Sequence, residues 1–276
     1  MTELDVKLHL DTATANVRDI VCGGGCKHAS AVECAQTTFL VFPYRGVYVR
    51  HVGRDDSVAE SNQVLFFNRG EEYRISHPVA GGDACLSIGV ADQWLDELAP
   101  RQQLRDRGGL AFRLQRLRLD ESAQAMVATL RYSLDRKVAE PLQAETLTLA
   151  LIRQSLGERT PAAASASAGK QKLVDRAKLL LSADPMRRWT LSEIGAEVGV
   201  SPVYLTQLFR QVEGMPLYRY QLRLRLACAL DMLGRCDDLT GLSLDLGFSS
   251  HSHFTAAFRQ TYGRTPAEFQ RSLRLR

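Results

Sequence analysis

Three thiols and an imidazole fall within thirteen residues near the start of the chain, as Cys22-Gly-Gly-Gly-Cys26-Lys27-His28 and then Cys34. Thiolate and imidazole are soft donors that suit zinc or another thiophilic metal, so Cys22, Cys26, His28 and Cys34 form a candidate metal set. His51, His77 and Cys85 could join it from neighbouring strands. The spacing C-x3-C-x-H-x5-C is not that of a standard zinc finger, and three consecutive glycines leave the first loop loosely constrained. Two other readings stay open. Cys26 beside Lys27 could have a lowered pKa and sense oxidants or electrophiles. Alternatively, the cysteines are ordinary packing residues and the signal is an organic molecule. Cys228 and Cys236 lie in or beside a helical stripe and read as packing residues.

A second group of residues is repeated. Ile194-Gly195-x3-Gly199-x-Ser201-x3-Leu205-x3-Phe209-Arg210-Gln211-x2-Gly214 is echoed by Leu242-Ser243-x3-Gly247-x2-Ser250-x3-Phe254-x3-Phe258-Arg259-Gln260-x2-Gly263. The repeat implies one supersecondary unit used twice. Thr190-Leu-Ser-Glu193 reads as a capping box that starts a helix. Gly195 permits a close helix crossing, with Ser243 in the same slot of the second unit, and Gly199 permits a left-handed turn. Ser201-Pro202 starts the following helix, with serine as N-cap and proline at the first helical position. Leu205, Leu208 and Phe209 then face inward. Tyr204, Thr206, Gln207 and Arg210 face outward, where they suit base edges and phosphates. Leu222, Leu226, Ala229, Leu230 and Leu233 predict one continuous helix between the units, with Arg219, Arg223 and Arg225 near its start.

Other elements must carry the first group. From about 37 to 90, short apolar runs alternate with turn residues: Phe39–Phe42, Val47–Val52, Val64–Phe67, Tyr73–His77 and Leu86–Val90. This period-two pattern predicts a small antiparallel barrel or sandwich. Between Phe67 and Asp83, the charged residues Arg69, Glu71, Glu72, Arg74 and His77 could line a pocket mouth or form ion pairs on a solvated hairpin. From about 92 to 158 the period becomes helical, with Met126, Leu130, Leu134, Leu147, Leu151 and Ile152 on apolar stripes. Residues 159–169, small and lacking any apolar period, read as a flexible linker. The expected organisation is therefore α+β: a sensing or dimerisation domain over 1–158, a linker, and an all-α domain over 170–276.

At this point the residues are recognisable. Gly247-Phe-Ser-Ser-His-Ser-His-Phe254, followed by Phe258, Tyr262-Gly263 and Thr265-Pro266, resembles the signature of the AraC/XylS family of transcription regulators. The resemblance covers about 170 to 275. It implies two helix-turn-helix units whose recognition helices, about 202–212 and 250–262, enter adjacent major grooves roughly 10 bp apart. By position it assigns base reading to Val203, Thr206 and Gln207 in the first helix and to His251, Ser252 and His253 in the second. Tyr204, Arg210 and Arg259 complete the candidate DNA-binding set. Relatives often carry a basic residue two positions after Phe254, where this chain has Ala256, which shifts weight toward phosphate contacts and DNA shape. The family also implies a cupin-like N-terminal barrel, an unknown effector and contact with RNA polymerase, with activator or repressor function and a monomer or homodimer left open.

Charge agrees with a polyanion partner. Residues 170–276 carry 16 of the chain's 35 Lys and Arg against 10 of its 31 Asp and Glu, leaving 19 and 21 to residues 1–169. Such a basic excess suits double-stranded DNA through counterion release, or is simply a solvated basic face, and charge alone does not decide between them. The first residues lack the basic-then-apolar pattern of a signal peptide and no stretch suits a bilayer, so the expectation is a cytoplasmic protein without membrane contact. The strand region has no His-x-His with downstream Glu and His, and no nucleophile–base arrangement is visible, so an enzyme is not expected.

Overall fold

The computed structural model describes residues 4–25, 27–106, 109–157 and 167–274. Its N-terminal part comprises β1 (Leu4–Asp11), β2 (Ala15–Cys22), β3 (Glu33–Cys34), β4 (Phe39–Gly46), β5 (Tyr48–Val52), β6 (Asp55–Ala59), β7 (Gln63–Phe67), β8 (Glu72–Ser76) and β9 (Asp83–Val90). These are followed by α1 (Asp92–Leu98), β10 (Leu104–Asp106), β11 (Leu110–Phe112), β12 (Arg116–Arg118), α2 (Glu121–Asp135) and α3 (Pro141–Leu156).

A six-stranded antiparallel sheet in the order β1-β2-β9-β4-β7-β12 faces a four-stranded sheet in the order β3-β8-β5-β6. Alternation explains why the central strands are apolar throughout. Leu40, Phe42, Val64, Phe66, Leu86 and Ile88 point outward and are buried under Val127, Leu130, Leu134, Leu151 and Ile152 of α2 and α3. Their neighbours Val41, Leu65, Phe67 and Cys85 point between the sheets and pack with Tyr48 and Ala59.

The structure extends the strand region in both directions. The β1–β2 hairpin lies before residue 37, and β10, β11 and β12 lie within the stretch whose period suggested only helix. Strands of three residues are too short to show a period against that background. The expected linker falls mostly outside the described residues, and its last two positions already belong to a helix that begins at Ala168.

That helix is α4 (Ala168–Ala183); α5 (Leu191–Val198), α6 (Pro202–Glu213), α7 (Leu217–Leu233), α8 (Leu239–Asp245), α9 (His251–Tyr262) and α10 (Pro266–Arg274) follow. One core gathers Val174, Ile194, Val198, Leu205, Phe209 and Leu224, and a second gathers Leu230, Leu242, Phe254, Phe258 and Phe269. α7 contributes to both over 17 residues, about 25 Å of helix. No helix among the described residues is long and apolar enough to cross a membrane.

Candidate nucleic-acid interface

The helices that present the interface are set by their ends. Thr190 Oγ1 accepts from the Glu193 amide, and Glu193 accepts from both the amide and hydroxyl of Thr190, closing the capping box that starts α5. These contacts, first the Thr190 hydroxyl, then its amide and Arg187, hold the Glu193 carboxyl down at about 2. Gly199 ends α5 at φ 81°, in the left-handed region. At Gly195 a Cβ would lie 2.7 Å from the Val200 carbonyl oxygen, so only glycine lets the turn fold back this closely. In the second unit Ser243 occupies that slot fully buried, its hydroxyl donating to Thr240 O at 2.7 Å. The following helices start alike. Ser201 accepts from the Tyr204 amide, Ser250 accepts from the His253 amide, and both helices end on left-handed glycines, Gly214 and Gly263.

With Leu205, Leu208 and Phe209 buried, α6 turns Val203, Tyr204, Thr206, Gln207 and Arg210 to solvent. Val203, 70% exposed, is an apolar group held in water, which suits a thymine methyl rather than a hydrogen-bonding edge. On α9, Phe254, Ala257 and Phe258 are buried, while Ser252, His253, Ala256 and Arg259 are exposed. His251 differs. It is half-buried, with Nδ1 at 3.4 Å from Leu239 O and Nε2 at 3.3 Å from Thr255 Oγ1. His253 is the more accessible imidazole, steadied by Ser249 Oγ at 3.1 Å and by the edge of Phe248. Arg225 is spent on structure: its guanidinium donates to Pro185 O, Met186 O and Arg187 O and holds the segment before α5. Arg223 likewise turns away, donating to Leu119 O and pairing with Glu121 of α2.

Those contacts belong to an extensive seam between the two parts of the chain, which sequence reading did not reveal. Lys178 of α4 is fully buried between Glu60, after β6, and Glu213 at the end of α6, at 3.7 and 3.2 Å. Arg118 also reaches Glu213, Arg116 reaches Asp175, and Arg131 reaches Asp231 at 2.7 Å. Burial pushes the Glu60 carboxyl up. At Glu213 burial acts the same way, but Lys178, Arg118 and Arg116 outweigh it and the carboxyl is held low. The far end of α9 is tied as well, with Tyr262 Oη 3.4 Å from Gln124 Oε1.

Between the two sheets lies a cavity of about 610 Å³, with Phe39, Val41, Tyr48, Phe67, Tyr73 and Ile75 in its wall. Cys22 and Cys34 both line this cavity, His28 is exposed, and Cys26 lies outside the described residues. Among the described residues the metal-ligating atoms that gather are those of Cys22, His77 and Asp83. His51 is engaged elsewhere, with Asp56 and Ser76. Of the charged residues around β8, Glu71 pairs with buried Arg50, Arg69 pairs with Asp92, and Glu72 and Arg74 are exposed. Burial pushes the Cys85 thiol well up, and the Cys228 thiol up to about 12.

Residues 194–272 match the family described as a helix-turn-helix domain. The chain is 31% identical over 84 residues to the regulatory protein PocR of Salmonella typhimurium, an alignment covering 30% of this chain and 28% of that one. It is 26% identical over 151 residues to the virulence regulon transcriptional activator VirF of Yersinia enterocolitica, covering 54% and 55%. The match therefore spans between about a quarter and about half of these relatives' lengths. Among solved structures, an AraC-type transcriptional regulator from Chromobacterium violaceum is similar at 31% identity over 39% of this chain and 96% of that one, with a TM-score of 0.37.

Proposed function

We propose that the chain is a sequence-specific DNA-binding transcription regulator of the AraC/XylS type, a reading supported by the helix-turn-helix match over residues 194–272 and by the regulators the chain resembles there. In this reading α6 and α9 enter successive major grooves on one face of the duplex. The observation that carries it is the pairing of two equivalent exposed helix faces, each on a unit with the same serine cap, buried phenylalanine and glycine end. Helix α7, packed into both cores, fixes the two faces relative to each other. Thr206, Gln207, Ser252 and His253 supply base-edge donors and acceptors, while Arg210 and Arg259, in equivalent positions, take phosphates.

The barrel cavity is the seat of the effector, since its aromatic wall suits a small, largely apolar molecule. The seam through Glu213 and Tyr262 gives that signal a physical route, because it grips the C-terminal ends of α6 and α9. Contact with RNA polymerase and a homodimeric state complete the reading.

The experiment is fluorescence anisotropy of the full chain on a DNA site selected by it from a random-sequence pool. Specific binding is expected to exceed binding to a shuffled duplex by about a thousandfold or more. Gln207→Ala and His253→Ala are expected to weaken the specific complex more than the shuffled one. An equal loss on both duplexes would remove these residues from base reading, and no preference for any duplex would overturn the proposal.

A further inference from the structure

We propose that Cys22, His77 and Asp83 form a binding site for a thiophilic divalent cation, zinc foremost, in the wall of the barrel cavity. The inference goes beyond DNA binding and does not depend on it. One sulfur, one imidazole nitrogen and one carboxylate oxygen from these residues lie within 4.8 Å of one another. Tetrahedral zinc with bonds of about 2.0–2.3 Å places its ligand atoms roughly 3.3–3.8 Å apart, so the three need only small side-chain adjustments. His77 Nε2 and Asp83 Oδ1 already stand 2.6 Å apart, and an ion entering between them would spread that contact. The donor set selects the class of ion. Magnesium and calcium favour all-oxygen shells, whereas a thiolate and an imidazole together favour zinc-like ions.

The backbone brings these residues together by means the sequence spacing does not show. Cys22 at the end of β2 and Asp83 at the start of β9 are direct cross-strand partners, which puts their side chains on one face. His77 arrives from the opposite sheet, just beyond β8, and its ring is flanked by Tyr48 with centroids 6.2 Å apart. Three left-handed glycines then close this end of the barrel. A Cβ on Gly82 would collide with Cys22 O, one on Gly46 would collide with Gly82 O, and one on Gly24 would sit 2.5 Å from Gly82 Cα. No other residue fits at these positions, so Cys22 is held against the strand that carries Asp83. His77 and Asp83 are 3% and 6% exposed, which keeps bulk water from competing for the ion. All three line the cavity, so a bound ion turns its remaining coordination position toward that space, where water or a donor atom of a small ligand completes it.

The test is cobalt substitution of the full chain, purified under reducing conditions and stripped with a chelator. Titration with Co(II) is expected to give one equivalent of binding, with a thiolate-to-cobalt charge-transfer band and d–d bands of tetrahedral intensity, all abolished by one equivalent of zinc. Cys22→Ser is expected to remove the charge-transfer band. His77→Ala and Asp83→Ala are expected to weaken cobalt binding about tenfold or more, and Cys34→Ser to leave the spectrum unchanged. Circular dichroism shows whether each variant is folded, and Cys22→Ala stands in where Cys22→Ser is not. Absence of the charge-transfer band in the parent would overturn the proposal. So would its survival in a folded Cys22→Ser variant, or its loss in a folded Cys34→Ser variant.

Discussion

Replacing Lys178 by methionine tests the seam between the two-sheet part of the chain and the helix-turn-helix units. The ammonium is fully buried, 3.2 Å from Glu213 Oε1 and 3.7 Å from Glu60 Oε1. The amide oxygen of Gln63 also faces it once the amide is oriented to donate to Val58 O at 3.0 Å. At an effective dielectric constant of about 20, each ion pair contributes about 4–5 kcal/mol of attraction, much of it offset by the loss of water around three charges. Lys178→Met removes the attraction and leaves two carboxylates facing each other, an expected loss of about 3–5 kcal/mol. Glu60→Gln is different. Its carboxyl is pushed up by burial despite Lys178, and Glu213 still neutralises the ammonium, so a change within about 1 kcal/mol is expected. The double variant Lys178→Met/Glu60→Gln relieves the repulsion and is expected to recover a substantial part of the single-variant loss. Urea unfolding of the four proteins, followed by circular dichroism at neutral pH, measures the cycle. A loss below about 1 kcal/mol for Lys178→Met, or a double variant no more stable than that single one, would refute the reasoning.

Three further outcomes follow from the interface itself. Gly195→Ala drives a methyl to 2.7 Å from Val200 O, and a loss of about 1–3 kcal/mol in urea unfolding is expected, whereas no loss would mean the α5–α6 turn yields easily. Because the folded-state carboxyl of Glu193 lies at about 2, below the ordinary 4.5, its stabilisation of α5 is complete above 4.5 and disappears only as pH falls toward 2. Carboxyl-detected NMR of Thr190→Val should find this group displaced back toward 4.5; an unchanged titration would remove the hydroxyl as the cause. Arg210→Ala should weaken binding to specific and shuffled DNA alike and reduce the salt slope by about 1, and an unaltered slope would take Arg210 off the phosphates.

The two halves of the chain differ in how far they could be read. The C-terminal units were legible because their determinants are local: Thr190 with Glu193, Ser201 before Pro202, and glycines at 199, 214 and 263 act within a turn of the helix they start or stop. The outward position of Gln207 and Arg210 follows from the burial of Leu205, Leu208 and Phe209. The β1–β2 hairpin also left a signal, with Leu4, Val6, Leu8 and Leu10 alternating with Asp5, Lys7, His9 and Asp11. What escaped was non-local. Spacing pointed from Cys22 to Cys26 and His28, with His77 joining from a strand, whereas sheet register takes Cys22 to Asp83, a partner no spacing suggested. The seam was equally hidden, since Lys178, Glu60 and Glu213 look like ordinary surface charges until the two parts dock.

The most direct test of the central claim is hydroxyl-radical footprinting of the full chain on its selected DNA site, with methylation interference at guanine N7. Two protected segments centred roughly 10 bp apart on one face of the duplex are expected, with interference confined to major-groove positions within them. The protection of the segment read by α9 should fade selectively in Ser252→Ala/His253→Ala. A single protected segment, or protection with no major-groove interference, would contradict a tandem reader and the function built on it.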